Sequence, residues 1–438
     1  MQRNRNLRAI ATLAHRYVGL VIAGFLIIAG LTGALLAWNN ELDAAISPEL
    51  FRVTRPSPTV ATLDPLSLRQ QVQARYPDAF VAMVPLILDA DSAVVIRLFA
   101  LPDPTTGIEP ELPNDQVFVN PYTGQVLGER KWGDISQGIK NLMPFIYRLH
   151  FTLALDALGS YVLGIVALLW TLDCFVGTYL TFPARRKMLV TSNLPSPMEK
   201  SSNHSWFSRW RRSWKVRWGQ GRHKVNFDLH RAGGLWPWAM LFVVAWSSVA
   251  FNLTEVYEPV MKSMFAHQTT IETIPRQSQP VLTPELNWQE ARVTARRLMA
   301  QQAREKGFAV LRETTLIYDP LRGIYRYHVE SSRDIRDHGG GSTSIIFDAT
   351  TGAFKSLWLP TGAASGDTIR TWITSLHLAA LWGIPMKLFV CVTGLVVAML
   401  SITGIVIWIR KRSARAAFLD GRPYSKALLA GRKLGGHR

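Results

Sequence analysis

The chain alternates long, uncharged apolar runs with polar segments. The first run, Val18 to Trp38, holds no charged residue over 21 positions, and at about 1.5 Å per residue a helix of that length crosses a hydrocarbon core of about 30 Å. Leu235 to Phe251 is a shorter run, whereas 151–182 and 378–409 are longer than one crossing requires, so we expect these two to tilt or to project from the bilayer. The pattern predicts an α-helical polytopic membrane protein with four main transmembrane helices.

The two long polar segments repeat the same order of elements. Each predicts a helix, two strands and a hairpin closed by a Thr-Gly turn, which is Thr123-Gly124 in the first copy and Thr351-Gly352 in the second. The chain is therefore predicted to contain two tandem parallel repeats, each with an external α+β module. The predicted elements are 65–76, 80–88, 93–100 and 118–128 in the first copy, and 288–302, 308–318, 325–330 and 346–356 in the second.

The distribution of charge predicts the orientation of these helices. A net charge of +18 could indicate nucleic-acid binding, but the excess of Lys and Arg is confined to the N-terminal arm, 183–231 and the tail after 409, which hold 4, 12 and 9 of them against three acidic residues. Segments 39–149 and 254–376 hold 9 and 14 basic residues against 13 acidic residues each. This is the positive-inside pattern of a protein in a lipid membrane. It predicts cytoplasmic termini, a cytoplasmic middle loop, two external segments and no nucleic-acid partner.

These patterns divide the chain into eight predicted segments. The first apolar run is longer than that of a signal peptide, so we interpret it as an uncleaved anchor. The segments are the N-terminal arm with the first transmembrane helix (1–38), the first external module (39–145), the second transmembrane helix (146–183), a basic cytoplasmic loop (184–228), the third transmembrane helix (229–254), the second external module (255–370), the fourth transmembrane helix (371–410) and a basic cytoplasmic tail (411–438).

Four histidines lie where apolar runs begin. His15 in AHRYVGL and His230 in DLHRAGGLW begin inward-to-outward crossings, so both are predicted near the cytoplasmic face. His150 and His377, each after a leucine, begin outward-to-inward crossings and are predicted near the outer face. Since ligands of one metal must share a depth, the topology predicts two pairs, His15 with His230 and His150 with His377.

Two imidazoles on facing helices can hold haem iron axially. Arg16 and Arg231, which follow the two cytoplasmic histidines, could then pair with haem propionates. Histidines at a membrane interface also cap or anchor helices, and the spacing alone leaves both interpretations open. Zinc or copper would need further ligands, and the sequence has no CxxC or HExxH motif to supply them. Asp173, deep in the second run, is a candidate for a proton relay or for structural pairing.

The middle loop contains SWFSRWRRSWKVRW, residues 205 to 218, in which tryptophan alternates with basic residues. Such a segment is typical of a membrane interface facing anionic lipid. Docking of an electron donor is the alternative interpretation.

Taken together, HRYVGL, LHRAGGLW, the two LH motifs, the two Thr-Gly modules and the Trp/Arg-rich loop resemble the PepSY-associated transmembrane family. That family includes iron-regulated inner-membrane proteins and periplasmic ferric-siderophore reductases that bind b-type haem. The resemblance covers nearly the whole chain. It implies a bacterial inner-membrane location and two haem b groups, held by His15, His150, His230 and His377.

The resemblance leads to the hypothesis of a dihaem b-type oxidoreductase that passes electrons outward and reduces a periplasmic ferric chelate, with a ferric siderophore as the expected substrate. The donor, a quinol or a soluble reductase, is left open because no flavin or nicotinamide domain of the kind fused to some relatives is found in the sequence. The main alternative is a cofactor-free PepSY membrane sensor or anchor that binds peptides or regulates a protease. A solute transporter is a third class, and the expected lack of a Gly/Pro-broken helix pair argues against it.

Overall fold

The computed structural model describes residues 2–100, 110–184, 205–269, 271–336 and 342–419. The basic segments 185–204 and 420–438 thus lie outside the described residues. The helices are α1 Gln2–Leu36, α2 Asn39–Ile46, α3 Pro48–Phe51, α4 Pro65–Arg75, α5 Leu142–Thr152, α6 Asp156–Thr181, α7 Trp206–Trp210, α8 Arg222–Leu235, α9 Trp238–Asn252, α10 Thr254–Met264, α11 Trp288–Lys306, α12 Ser365–His377 and α13 Gly383–Leu419. The strands are β1 Ala79–Phe80, β2 Met83–Pro85, β3 Val94–Arg97, β4 Phe99–Ala100, β5 Gln116–Val119, β6 Val126–Arg130, β7 Val310–Asp319, β8 Ile324–Ser331, β9 Thr343–Asp348 and β10 Phe354–Trp358.

Among the described residues, three helices are long and apolar enough to cross a membrane: α1, α6 and α13. A fourth candidate is the pair α8 and α9, which qualifies only as one span bent by 68°. The bend follows Gly233-Gly234 and contains Pro237. Proline has no backbone N–H to donate to the helix, and its ring clashes with the preceding turn. The expectation that the chain lacks a broken helix pair is therefore wrong. The layout of four crossings in two repeats stays a prediction.

The two longest apolar runs are also interrupted, each directly after its histidine. His150 lies in the last turn of α5 and His377 is the last residue of α12, and the next long helix begins six residues after each of them. Leu153 and Ala154 adopt positive φ angles of 53° and 56° in the first break, and Ala379 adopts 51° in the second. A left-handed residue ends a helix. The histidines therefore end short helices instead of beginning the long ones.

The chain forms two compact units. The first unit comprises Met1–Ala34, Ser160–Asn252 and Cys391–Arg438, and its core holds Ile22, Leu26, Val166, Leu241 and Val397. Here α1 and α13 approach closely: a Cβ added to Gly30 would lie 2.5 Å from the Gly394 carbonyl oxygen, and one added to Gly394 would lie 2.5 Å from that of Gly30. Small residues permit such contact between membrane helices. Gly30 and Gly394 thus mark the point where α1 crosses α13.

The second unit comprises Leu35–Gly159 and Leu253–Val390, which are the two external segments with α5 and α12. Its sheets are β10-β9-β8-β7-β2, β3-β5-β6 and β1-β4. Strand β2 of the first segment pairs antiparallel with β7 of the second, with Met83 opposite Ile317. Leu66 and Val84 pack in one core with Leu316 and Tyr325. The expected α+β content is present, but the two modules share a sheet and a core because β2 leaves its own segment.

Both expected hairpins are present. Strands β5 and β6 pair antiparallel, as do β9 and β10, and the turn glycines Gly124 and Gly352 have φ angles of 73° and 71°. The side chains of Asn120 and Asp348 accept hydrogen bonds from the backbone N–H groups two and three residues later. Short polar side chains that bind local backbone groups favour such turns. The Thr-Gly motifs therefore predicted both turns correctly.

Candidate cofactor-binding site

The structure brings His15 of α1 beside His230 of α8, as the predicted pairing requires. Their ring centroids lie 6.0 Å apart with an angle of 57° between the ring planes. Each ring is held at Nδ1. The His15 Nδ1–H donates to both carboxylate oxygens of Asp173, at 2.9 and 3.0 Å. The His230 Nδ1–H donates to the Leu400 carbonyl oxygen at 3.0 Å and lies 3.1 Å from the Thr403 hydroxyl. Holding Nδ1 orients an imidazole so that a metal would bind at Nε2.

Two glycines make room for these rings. A Cβ added to Gly177 of α6 would lie 3.4 Å from the His15 Cε1, and one added to Gly404 of α13 would lie 3.2 Å from the His230 Cε1. Both distances are already short for such contacts, and a larger side chain at either position would push the ring away. Each glycine comes 27 residues after an LH histidine. The sequence interpretation missed both glycines, although this equal spacing was a signal that could have identified them.

A cavity of about 370 Å³ lies beside the His15/His230 pair. Its wall is largely apolar, with Trp170, Trp238 and Leu241, and it includes the two predicted arginines Arg16 and Arg231. Arg231 Nη2 donates to Asp228 at 2.8 Å, but its Nε is buried with no hydrogen-bond partner in the described residues. A buried donor without a partner is costly. The apolar wall and this unused donor fit a flat, apolar group with an anionic edge.

The other cations of the same wall are Arg8 and Lys411. Arg8 donates to the carbonyl oxygens of Leu180 and Phe182, at 2.8 and 3.0 Å, and so holds α1 against the end of α6. Its guanidinium is thus engaged by backbone, whereas neither an ion pair nor a hydrogen bond of Arg16 is found in the described part of the chain. Arg16 is therefore better placed than Arg8 to meet an anion.

The second predicted pair lies in the second unit. His150 and His377 have ring centroids 6.3 Å apart and perpendicular ring planes, at an angle of 90°. One arginine lies on α5 and one contacts α12: Arg148 donates to Asp156 at 2.9 Å, and Arg336 donates through Nε to the Ser375 hydroxyl at 3.2 Å. Burial lowers the pKa of Arg336. The pair is thus near positive charge contributed by an external segment.

Both pairs can be tested against the size of a haem. Two imidazoles that bind one iron from opposite sides place their ring centres about 6.3 Å apart, given metal–nitrogen bonds of about 2.0–2.1 Å and about 1.1 Å from ring centre to nitrogen. The observed separations of 6.0 and 6.3 Å fit this geometry. In the described part of the chain no group of three or more His, Cys, Asp or Glu side chains is placed to hold a metal ion. Two histidines would suffice for a group that brings its own ring of ligands, as a porphyrin does.

Asp173 has the side-chain partner that structural pairing, one of the two interpretations left open by the sequence, requires; the proton relay stays a prediction. The Asp173 carboxylate is 12% exposed and forms an ion pair with His15. The predicted topology was enough to expect that the histidines of each pair would meet. It did not give the hydrogen-bond partner of each Nδ1, which lies four positions before Gly177 or Gly404. The assignment of all four histidines and both arginines to haem stays a prediction.

Comparison with known proteins agrees with this architecture. A family model described as the PepSY-associated TM region matches residues 12–411, which is nearly the whole chain. A comparison with curated proteins finds no match. The matched region contains all four histidines, both long polar segments and most of each candidate membrane span. The chain therefore belongs to the PepSY-associated transmembrane family.

Proposed function

We propose that the protein is an inner-membrane dihaem b-type oxidoreductase that transfers electrons outward and reduces a periplasmic ferric chelate, with a ferric siderophore as the expected substrate. One observation carries the proposal: each of the two units contains a histidine pair with the ring separation of an axial haem ligand set. Family membership, the membrane spans and the apolar, arginine-bearing cavity support it.

The contacts of the site residues indicate which role each would have in binding haem. When bound, haem supplies one-electron transfer at a potential that axial ligands and burial set. His15 and His230 would hold one group, with Arg16 and the free Nε of Arg231 facing its propionates. Gly177 and Gly404 leave room for the two rings. His150 and His377 would hold the second group, near the external segments.

The reaction requires one electron for each Fe(III). Oxygen-donor chelators prefer the harder Fe(III), so reduction to Fe(II) weakens binding and releases the metal with the chelator intact. A quinol donor gives up two electrons and two protons, and one quinol would thus reduce two ferric chelates. A soluble reductase would deliver the same electrons from the cytoplasmic side. We expect the chelate to bind between the external segments, close to His150 and His377, with protein groups that only position it.

The bent pair α8 and α9 bears on the transporter alternative. Discontinuous helices are common in secondary transporters, where they form the substrate site. Here the helix before the bend holds His230, and its buried Asp228 is engaged by Arg217 at 2.7 Å and by Arg231 at 2.8 Å. The bent pair thus carries the histidine and the arginine that the oxidoreductase proposal uses.

An optical spectrum tests the proposal. The full-length protein, expressed with an ample haem supply and purified in detergent, should show dithionite-reduced minus oxidised bands of low-spin b-type haem, with two haems per chain. Absence of haem bands under these conditions would overturn the proposal and favour the cofactor-free sensor or anchor.

A further inference from the structure

The two histidines of the first unit occupy equivalent positions of the repeat but have different partners. His15 lies against Gly177 and His230 lies against Gly404, and the two glycines are each 27 residues after an LH histidine. The residue four positions before the glycine is Asp173 in the first copy and Leu400 in the second. The His15 Nδ1–H donates to a carboxylate, whereas the His230 Nδ1–H donates to a backbone carbonyl oxygen. The site is therefore chemically asymmetric where the repeat is symmetric.

The placement of Asp173 indicates a specific purpose. It lies within α6, a candidate membrane span, where a carboxylate is costly and is retained when it serves a function. Both of its oxygens approach the same imidazole nitrogen, at 2.9 and 3.0 Å. Over the described residues no Lys or Arg forms an ion pair with Asp173, and the His15 Nδ1–H is the group whose hydrogen bond its carboxylate accepts.

A carboxylate on Nδ1–H changes the imidazole more than a neutral acceptor does. It draws the proton toward itself, which makes the other ring nitrogen a stronger electron donor. A stronger donor stabilises Fe(III) relative to Fe(II) and so lowers the reduction potential of the iron that it ligates. The Leu400 carbonyl and the Thr403 hydroxyl, which carry no net charge, have a weaker effect on His230.

We propose that Asp173 is a positioning residue that lowers the reduction potential of the group held by His15 and His230, and so makes this group a stronger reductant. This inference rests on the proposed function, because it requires haem at the pair. It goes further by assigning a role in setting potential to a residue outside the ligand set.

Redox potentiometry of the full-length protein in lipid nanodiscs tests the inference. Haem absorbance is followed through a reductive titration of the wild type and of Asp173→Asn, Asp173→Glu and Thr403→Val. Each haem gives one wave in the titration. The wave that is missing in His230→Ala belongs to the group held by His15 and His230, which we call the inner haem. Asp173→Asn should move this wave to a more positive potential and leave the other wave in place. Asp173→Glu should restore a potential close to the wild-type value.

Thr403→Val is the matched control, because it removes a neutral partner from His230 while the Leu400 carbonyl still accepts. It should move the potential less than Asp173→Asn does. An inner wave unmoved in Asp173→Asn, with haem content at the wild-type level, would overturn the inference and leave the proposed function intact. Loss of the inner haem in both Asp173→Asn and Asp173→Glu would assign Asp173 to haem retention alone and would also overturn it. A wild-type protein that binds no haem would refute both this inference and the proposed function.

Discussion

At the residue scale, the candidate site depends on side chains whose partners are already fixed. The ring of His15 is held by Asp173 and that of His230 by the backbone of α13. Such partners fix the orientation of a ligand before the metal arrives. The sequence predicted which histidines would meet because their positions at the ends of apolar runs fixed their depth. It did not predict their partners, because a local contact between helices is not encoded in the pattern of apolar runs.

We predict that His15→Ala and His230→Ala each remove the same haem, because the two rings face each other at 6.0 Å. Pyridine haemochrome quantification should give one haem per chain for either variant and two for the wild type. His223→Ala, which alters an exposed histidine of α8, is the control and should keep both. Full haem content in either site variant would refute the pairing.

A second prediction at this scale concerns the acid stability of the external segments. Burial raises the pKa of Glu313, but hydrogen bonds and charge from Arg292 and Arg296 outweigh it and bring the pKa to about 2. A depressed pKa stabilises the fold above the ordinary value of the group, and the contribution is lost as the pH falls from about 4.5 toward 2. Glu313→Gln should therefore cost on the order of 2 kcal/mol at neutral pH and flatten the stability profile between these values.

Thermal unfolding at a series of pH values, followed by tryptophan fluorescence, measures this profile. Glu305→Gln is the matched control on α11, since the Glu305 carboxylate accepts from glutamine side chains. It should leave the profile unchanged. An equal loss in both variants would show that the Arg292 and Arg296 contacts contribute nothing specific.

At the scale of elements, the sequence predicted helices and turns well and interruptions poorly. The hairpins followed from their Thr-Gly motifs, and the helices α4 and α11 correspond to the predicted helical stretches 65–76 and 288–302. The break after His150 was missed because no proline or Asn-Gly signal marks it, and left-handed leucine and alanine residues form its turn. The break after His377 did have a signal, Gly383 and Pro385 at the start of α13, which the sequence analysis did not use. The bend before α9 did have a signal, Pro237. The pairing of β2 with β7 of the other segment could not be predicted, because the apolar pattern of a three-residue strand is too short to indicate which strand it pairs with.

The crossing of α1 with α13 gives a prediction at this scale. Gly30→Ala would place a Cβ 2.5 Å from the Gly394 carbonyl oxygen, so the two helices must separate. The expected cost is about 1–3 kcal/mol, seen as a lower midpoint of thermal unfolding in detergent. Gly24→Ala on the same helix meets nothing within 4 Å and should be neutral or slightly stabilising. Equal midpoints for the two variants would contradict the close crossing.

At the scale of the whole molecule, the two histidine pairs belong to different units. His15 and His230 lie in the unit that contains most of the membrane spans, and His150 and His377 lie in the unit built from the external segments. The positive-inside pattern predicts that the first pair lies near the cytoplasmic side and the second near the outside. This division is the basis for an outward relay.

We predict that the external segments are reached from outside the cell membrane. Single cysteines at the partly exposed Ser57 and the exposed Ser365 should react with a membrane-impermeant maleimide in intact spheroplasts, in a background with Cys174 and Cys391 replaced by serine. A cysteine at Lys224, within the basic loop, should react only after permeabilisation. The reverse pattern would overturn the orientation.

The most direct test of the outward relay is the reoxidation of the reduced protein by a ferric siderophore. In proteoliposomes, rapid-mixing absorbance should show fast reoxidation of the wild type. In His377→Ala, the haem at His15 and His230 should still be reduced by the physiological donor but should not be reoxidised by the siderophore, because only the lost pair belongs to the unit of the external segments. Reoxidation of His377→Ala at the wild-type rate would contradict the account.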